Sequence, residues 1–142
     1  MRSHRVERLR LVLQVILVAI YIGAGAFHLA APDKFLPIMP PIIPFAREVV
    51  LLTGACEVAG AIGLIVPRTR RLAGIMLAIY AACVWPANIY QALWHVRASP
   101  LPDSWWYHGP RIAFQPVLMW WALFAGGDFD WPFVAREPDD PE

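Results

Sequence analysis

The strongest constraint on this chain is an uncharged run, "LVLQVILVAIYIGAGAF", from residue 11 to residue 27. Three more apolar stretches follow: "VVLLTGACEVAGAIGLIV" at 49–66, "LAGIMLAIYAACVWPANIYQALW" at 72–94 and "IAFQPVLMWWALFAGG" at 112–127. Crossing the hydrocarbon core of a bilayer takes about 20 residues, with a range of about 17–25. The first three runs meet that length, and the fourth does so by borrowing from the "HGPR" before it. The expected spans are 11–28, 49–66, 72–94 and 110–127. The fold class expected is all-α, an integral membrane four-helix bundle. Residues 1–10 read as a basic N-terminus and 128–142 as an acidic tail.

The rest of the composition agrees. Hydrophobic residues make up 58% and charged residues 16% of the 142. Soluble domains average about 45–50% and about 25%. The formal net charge of +1 offers no basic patch, so nucleic acid is not an expected partner. The two cysteines, Cys56 and Cys83, have no paired metal-ligand spacing, and no metal site is expected. The first run also resembles a signal peptide, with "AGA" at 24–26, but it is longer than the usual apolar segment of about 7–15 residues.

Loop charges give an orientation. With the N-terminus inside, Arg2, Arg5, Arg8, Arg10, Arg68, Arg70, Arg71 and Arg136 are cytoplasmic. Lys34, Arg47, Arg97 and Arg111 are outside. Both termini are therefore expected in the cytoplasm of a multi-pass protein, in a membrane of the bacterial inner type. Trp94, Trp105, Trp106 and Tyr107 then form an outer aromatic belt. Ala55, Ala59 and Gly63, with Cys56 and Gly60, make a small-residue ladder suited to close helix packing.

Polar residues inside the runs carry the chemistry. A charge at the bilayer centre costs about 2.5–3.5 kcal/mol on insertion scales, so such residues face the bundle interior. Glu57 lies near the middle of the second run. His28, Asn88, Gln91, Arg111 and Gln115 fall at the outer parts of the other three. All of them converge on the outer half, and nothing comparable is expected in the inner half. Tyr21, Gly25 and His28 share one helix face, as do Trp85, Asn88 and Gln91 on the third helix. Tyr21, Trp85 and Tyr90 are the expected aromatic walls. Pro86 bends the third helix just before Asn88. The stretch "AFHLAAPDKFLPIMPPIIPF" at 26–45 is apolar, yet its prolines forbid a further span. It reads as a semi-rigid lid over the polar pocket.

Taken in order, "GAFH" at 25–28, "PDKFLPIMP", "TGACE" at 53–57, "PRTRRLAG", "PAN" at 86–88 and "RIAFQPVLMWW" at 111–121 give the chain its resemblance to the DoxX-like family of small four-helix membrane proteins. The resemblance covers about residues 10–125. It implies a redox-associated or assembly role, with His28, Glu57, Asn88, Arg111 and Gln115 at the family's polar positions. No haem-binding motif, C-x-x-C or flavin fingerprint accompanies it.

Three functions compete. The first is an accessory, non-catalytic subunit of a membrane redox or energy-transducing complex, with other membrane proteins or further copies of itself as partners. The second is a quinone-linked redox protein. There His28 or Glu57 carries protons and Arg111 or Asn88 holds a carbonyl oxygen. The third is a protein that binds lipid or another small molecule. A conduction pathway ranks below these, because it needs polar residues across both leaflets. No catalytic residue is assigned, and an enzyme is not the first expectation.

Overall fold

Proline marks where the first two helices stop. In a computed structural model, which describes residues 4–97 and 102–133, the first helix, α1, spans His4–Ala30. It ends just before Ala31, which precedes Pro32 and takes non-helical backbone angles, φ −138° and ψ 55°. Two short 3₁₀ turns follow, Pro32–Lys34 and Leu36–Ile38. Helix α2 covers Ala46–Ile65 and stops two residues before Pro67. Helix α3 runs Arg70–Leu93 with Pro86 inside it, and α4 runs Trp105–Gly126 with Pro110 and Pro116 inside it. Gly127 closes α4 in the left-handed region at φ 86°, its N–H bonding the carbonyls of Leu123 and Phe124. The N–H of Asp128 returns to Leu123 as well.

The described residues are all helical or irregular, with no strand. Three helices, α1, α2 and α3, are long and apolar enough to cross a membrane. Their outward faces agree with that: Leu11, Val15, Leu52, Ile65, Leu72 and Ile79 are large, apolar and exposed. In water such a surface is an aggregation hazard; against lipid it is ordinary. α1 packs mainly on α2, and α3 mainly on α4. Backbone contact without intervening side chains makes each pair tight. A Cβ on Gly25 would lie 2.8 Å from the carbonyl oxygen of Gly54, and a Cβ on Gly74 would lie 2.8 Å from Cα of Gly126. The small-residue ladder is displaced from its expected face. Gly60 packs on Leu77 and Gly63 on Ala73, whereas Ala55, Cys56 and Ala59 are exposed. Burial of Glu57 turns Gly54, Ala61 and Leu64 inward with it, leaving the expected ladder pointing out.

The bundle has two unlike ends. One carries segment 31–45 and is called here the proline end. The other carries the N-terminus of α1 and the α2–α3 turn, and is called the arginine end. Near the arginine end lies a dry core of Leu17, Ala61, Leu64, Leu77, Ala122 and Ala125. Beyond it comes a correction to the expected asymmetry, because Arg10 and Gln14 are buried there, Arg10 to 3% exposure. Arg10 donates from Nε to the carbonyl of Phe124 at 2.8 Å and from Nη1 to Glu7 at 2.9 Å, and it also pairs with Asp130. Its guanidinium lies 4.9 Å from the centre of the Phe124 ring. Gln14 and Arg70 both donate to the carbonyl of Leu64, at 2.5 and 3.1 Å. These carbonyls belong to the last turns of α4 and α2, where the helix dipole leaves partial negative charge. Trp121 donates to the carbonyl of Leu13 at 2.9 Å. All four helices are thus pinned together at this end.

The basic segment 1–10 is therefore mostly the first turns of α1 rather than a separate arm. The acidic tail begins by folding back, since Asp128 pairs with Arg71 and Trp120 donates to the carbonyl of Trp131. The remainder of the tail, 134–142, lies outside the described residues, as do Arg2, Arg136 and residues 98–101.

Candidate functional site

Between the two helix pairs, toward the proline end, sits a cavity of about 310 Å³. α1 lines it with Ile20, Tyr21, Ala24 and His28, and α2 with Val50, Thr53 and Glu57. α3 contributes Tyr80, Ala81, Val84, Ala87 and Asn88. α4 contributes Arg111, Phe114, Gln115 and Leu118. Phe35, Ile38 and Met39 of the proline-rich segment complete the wall. That volume is at the lower end of the range of about 300–1,000 Å³ for small-ligand pockets, and the mixture of many apolar and a few polar liners is usual for them.

Glu57 is 5% exposed. Its Oε1 accepts a hydrogen bond from the Tyr80 hydroxyl at 2.8 Å. Its Oε2 is 2.9 Å from Nδ1 of His28. Nδ1 is also 2.9 Å from the carbonyl oxygen of Ala24, one turn back on α1. One N–H thus faces two acceptors at equal distance. Its direction favours Ala24, so Oε2 has a close positive neighbour when His28 is charged but no aligned hydrogen bond among the described residues. A buried carboxylate oxygen without a donor is costly. The His28 ring is covered on one side by Phe35, stacked at 3.9 Å between centroids. What brings His28 to Glu57 is the glycine contact: a Cβ on Gly54 would lie 2.8 Å from that of His28.

The opposite wall is built from amides. Gln115 donates to the carbonyl of Ala81 at 2.6 Å, next to the carbonyl that Pro86 leaves without its helical donor. Asn88 donates to Gln115 over a longer 3.4 Å. Arg111 donates to Gln91 at 2.5 Å and lies over the Tyr107 ring at 5.6 Å. Gln91 is buried but lies behind Arg111 and does not line the cavity.

The expected aromatic walls need correction. Tyr21 lines the cavity, but Trp85 and Tyr90 do not. Tyr90 stacks on Trp94 at 5.1 Å, and the indole nitrogen of Trp85 is buried elsewhere. The reason is helical phase. Tyr80, Ala81, Val84, Ala87 and Asn88 repeat at three to four residues and form one face. Trp85 and Tyr90 sit roughly 100° and 200° around from Val84 and Asn88 at about 3.6 residues per turn. Tyr80, which the sequence reading passed over, takes the place given to them. A tyrosine on that face, eight residues before Asn88, was the signal available.

Other polar groups lie outside the cavity. His108 is buried, with Nε2 3.4 Å from Asp103, which also lies 3.3 Å from Nδ1 of His95. Among the described residues no group of three His, Cys, Asp or Glu is placed to hold a metal. Cys56 and Cys83 are free and exposed. A polar cleft of about 440 Å³ at the arginine end has Arg10, Arg70 and Arg71 facing Glu7 and Asp128, so its charges largely answer one another.

A family model described as "Domain of unknown function (DUF8561)" matches residues 17–125. The chain belongs to this family. The match takes in every residue of the cavity wall. No curated protein and no solved structure matches the chain.

Proposed function

We propose that the protein is a four-span membrane protein, termini cytoplasmic, that binds a small molecule in the outer half of its bundle. One observation carries this reading. Oε2 of Glu57 is buried in the cavity wall, and its one neighbouring donor, Nδ1 of His28 at 2.9 Å, is aimed at the carbonyl of Ala24. A ligand that donates a hydrogen bond there relieves a cost the fold otherwise carries. The polar order His28, Glu57, Asn88, Arg111, Gln115, on which the DoxX-like resemblance rests, is also the set that lines the cavity. That coincidence supports carrying the resemblance from sequence to site. α4 serves as the fourth span in this reading, with Trp105 and the 93%-exposed Trp106 at its interfacial end.

The quinone alternative is a special case of the same pocket. A quinone oxygen would accept from Arg111, and its reduced form would donate to Glu57. The accessory-subunit reading draws on a different feature: Ile42, Phe45 and Trp106 are more than three-quarters exposed at the proline end, outside the cavity. The test is mass spectrometry of the protein released from native membrane in mild detergent. Wild type is expected to carry a stoichiometric small molecule, and Glu57→Gln to lose at least tenfold of it. An oxidisable chromophore in the extract selects the quinone form. Stoichiometric larger proteins with an empty pocket sink the binding reading and leave the subunit one.

A further inference from the structure

The direction in which the cavity opens restricts what can enter it. At the proline end it is roofed by Phe35, Ile38 and Met39, with Ile38 buried. At the other end lies the dry core around Leu17 and Leu77. The liners from α2 and α3 are buried or half-buried. The two exposed liners are Ile20 at 46% and Phe114 at 45%, one on α1 and the other on α4. α1 and α4 also share the sparsest packing of the neighbouring helix pairs. The mouth is therefore a seam between α1 and α4, edged with apolar side chains about midway along both helices.

Resting on the binding reading above, we infer that the ligand is a neutral, hydroxyl-bearing, single-tailed amphiphile admitted sideways from the lipid through the α1–α4 seam. The seam dictates the tail, because a molecule arriving there comes from hydrocarbon and leaves its chain in it. The interior dictates the head. The cavity holds one carboxylate, Glu57, with His28 beside it at 2.9 Å, and one guanidinium, Arg111. An anionic head would be repelled by Glu57 and a cationic one by Arg111. A head with two hydroxyls suits both: one donates to Oε2 of Glu57, and the other accepts from Arg111.

The experiment uses the full chain in phosphatidylcholine vesicles with a monoacylglycerol carrying a diazirine in its acyl chain. After irradiation, labelled peptides are mapped by mass spectrometry. Labelling is expected to concentrate around Ile20 and Phe114 and to be competed by unlabelled monoacylglycerol. It should fall at least fivefold in Ile20→Trp, which fills the seam, and in Glu57→Gln. It should be unchanged in Ile22→Trp, which adds the same bulk to an exposed position outside the cavity. Labelling spread over all apolar faces and indifferent to these substitutions is bulk lipid contact and overturns the inference. If the seam stays unlabelled while the purified protein still loses a bound molecule on Glu57→Gln, lateral admission falls and the pocket stands. If neither is seen, both fall.

Discussion

Glu57 shows how far a single residue can be read. Its depth in an apolar run marks it as a group that must face inward and find partners. Which partners it finds is a matter of helix phase and register across two interfaces. His28 arrives from α1 and Tyr80 from α3. Tyr80 was missed because a tyrosine within an apolar helix reads as core, and Arg10 and Gln14 were missed because they stand at the start of the first run. The Tyr80–Glu57 bond can be measured by itself. Tyr80→Phe and Glu57→Gln, singly and together, are expected to show a coupling of about 0.5–3 kcal/mol, as for residues in one hydrogen-bonded network. Additive effects in detergent unfolding would show that the hydroxyl and the carboxylate do not share a proton in solution.

Among the elements, glycine and proline decide more than hydrophobicity does. Gly54 lets α1 approach α2 closely enough for His28 to reach Glu57. Its ideal Cβ would meet Cβ of His28 at 2.8 Å and the carbonyl oxygen of Gly25 at 3.0 Å, neither of which is a flexible tip. Gly54→Ala should therefore destabilise the bundle by about 1–3 kcal/mol, as overpacking does. It should also weaken ligand binding by parting the pair. Unchanged thermal unfolding and unchanged binding together would contradict the close contact. Proline acts at both helix ends and interiors. The prolines of 31–45 shape two 3₁₀ turns whose side chains roof the cavity, and Pro86 opens α3 beside the carbonyl that Gln115 takes. Phe45, just before α2, sits in the left-handed region at φ 52°. Such a conformation costs a bulky residue about 1–3 kcal/mol. The chain accepts this strain where the segment turns into the helix.

Over the whole molecule, one end is pinned and the other is hollow. Arg10 ties α1 to the last turn of α4 and to the start of the tail. Because Glu7 and Asp130 keep contact with solvent, Arg10→Ala should cost about 1–3 kcal/mol, less than removal of a fully buried ion pair. It should do so without altering ligand affinity by more than about twofold, since the clasp and the cavity lie on opposite sides of the dry core. A large loss of affinity with little loss of stability would mean that the two ends are coupled. The same layout weakens the conduction reading in physical terms. Polar residues occur at both ends, but between them lies an apolar layer of Leu17, Ala61, Leu64 and Leu77.

The all-helical character, the placing of α1, α2 and α3 over the first three apolar runs and the identity of most polar liners follow from sequence because they depend on local rules, whereas α1 and α4 begin earlier than expected, at His4 and Trp105. Apolar run length, proline position and the cost of burying charge each act within a few residues. Helical phase also gave the inward turn of Tyr21, Glu57 and Asn88. Three things needed the folded chain. The replacement of Trp85 and Tyr90 by Tyr80 depends on which face of α3 turns toward α2 and α4. The Arg10 clasp depends on the C-terminus of α4 meeting α1. The sideways opening depends on α1 and α4 packing less closely than their neighbours. Each is a relation between segments far apart in sequence, fixed by backbone approach at Gly25 with Gly54 and Gly74 with Gly126, and no local pattern encodes it.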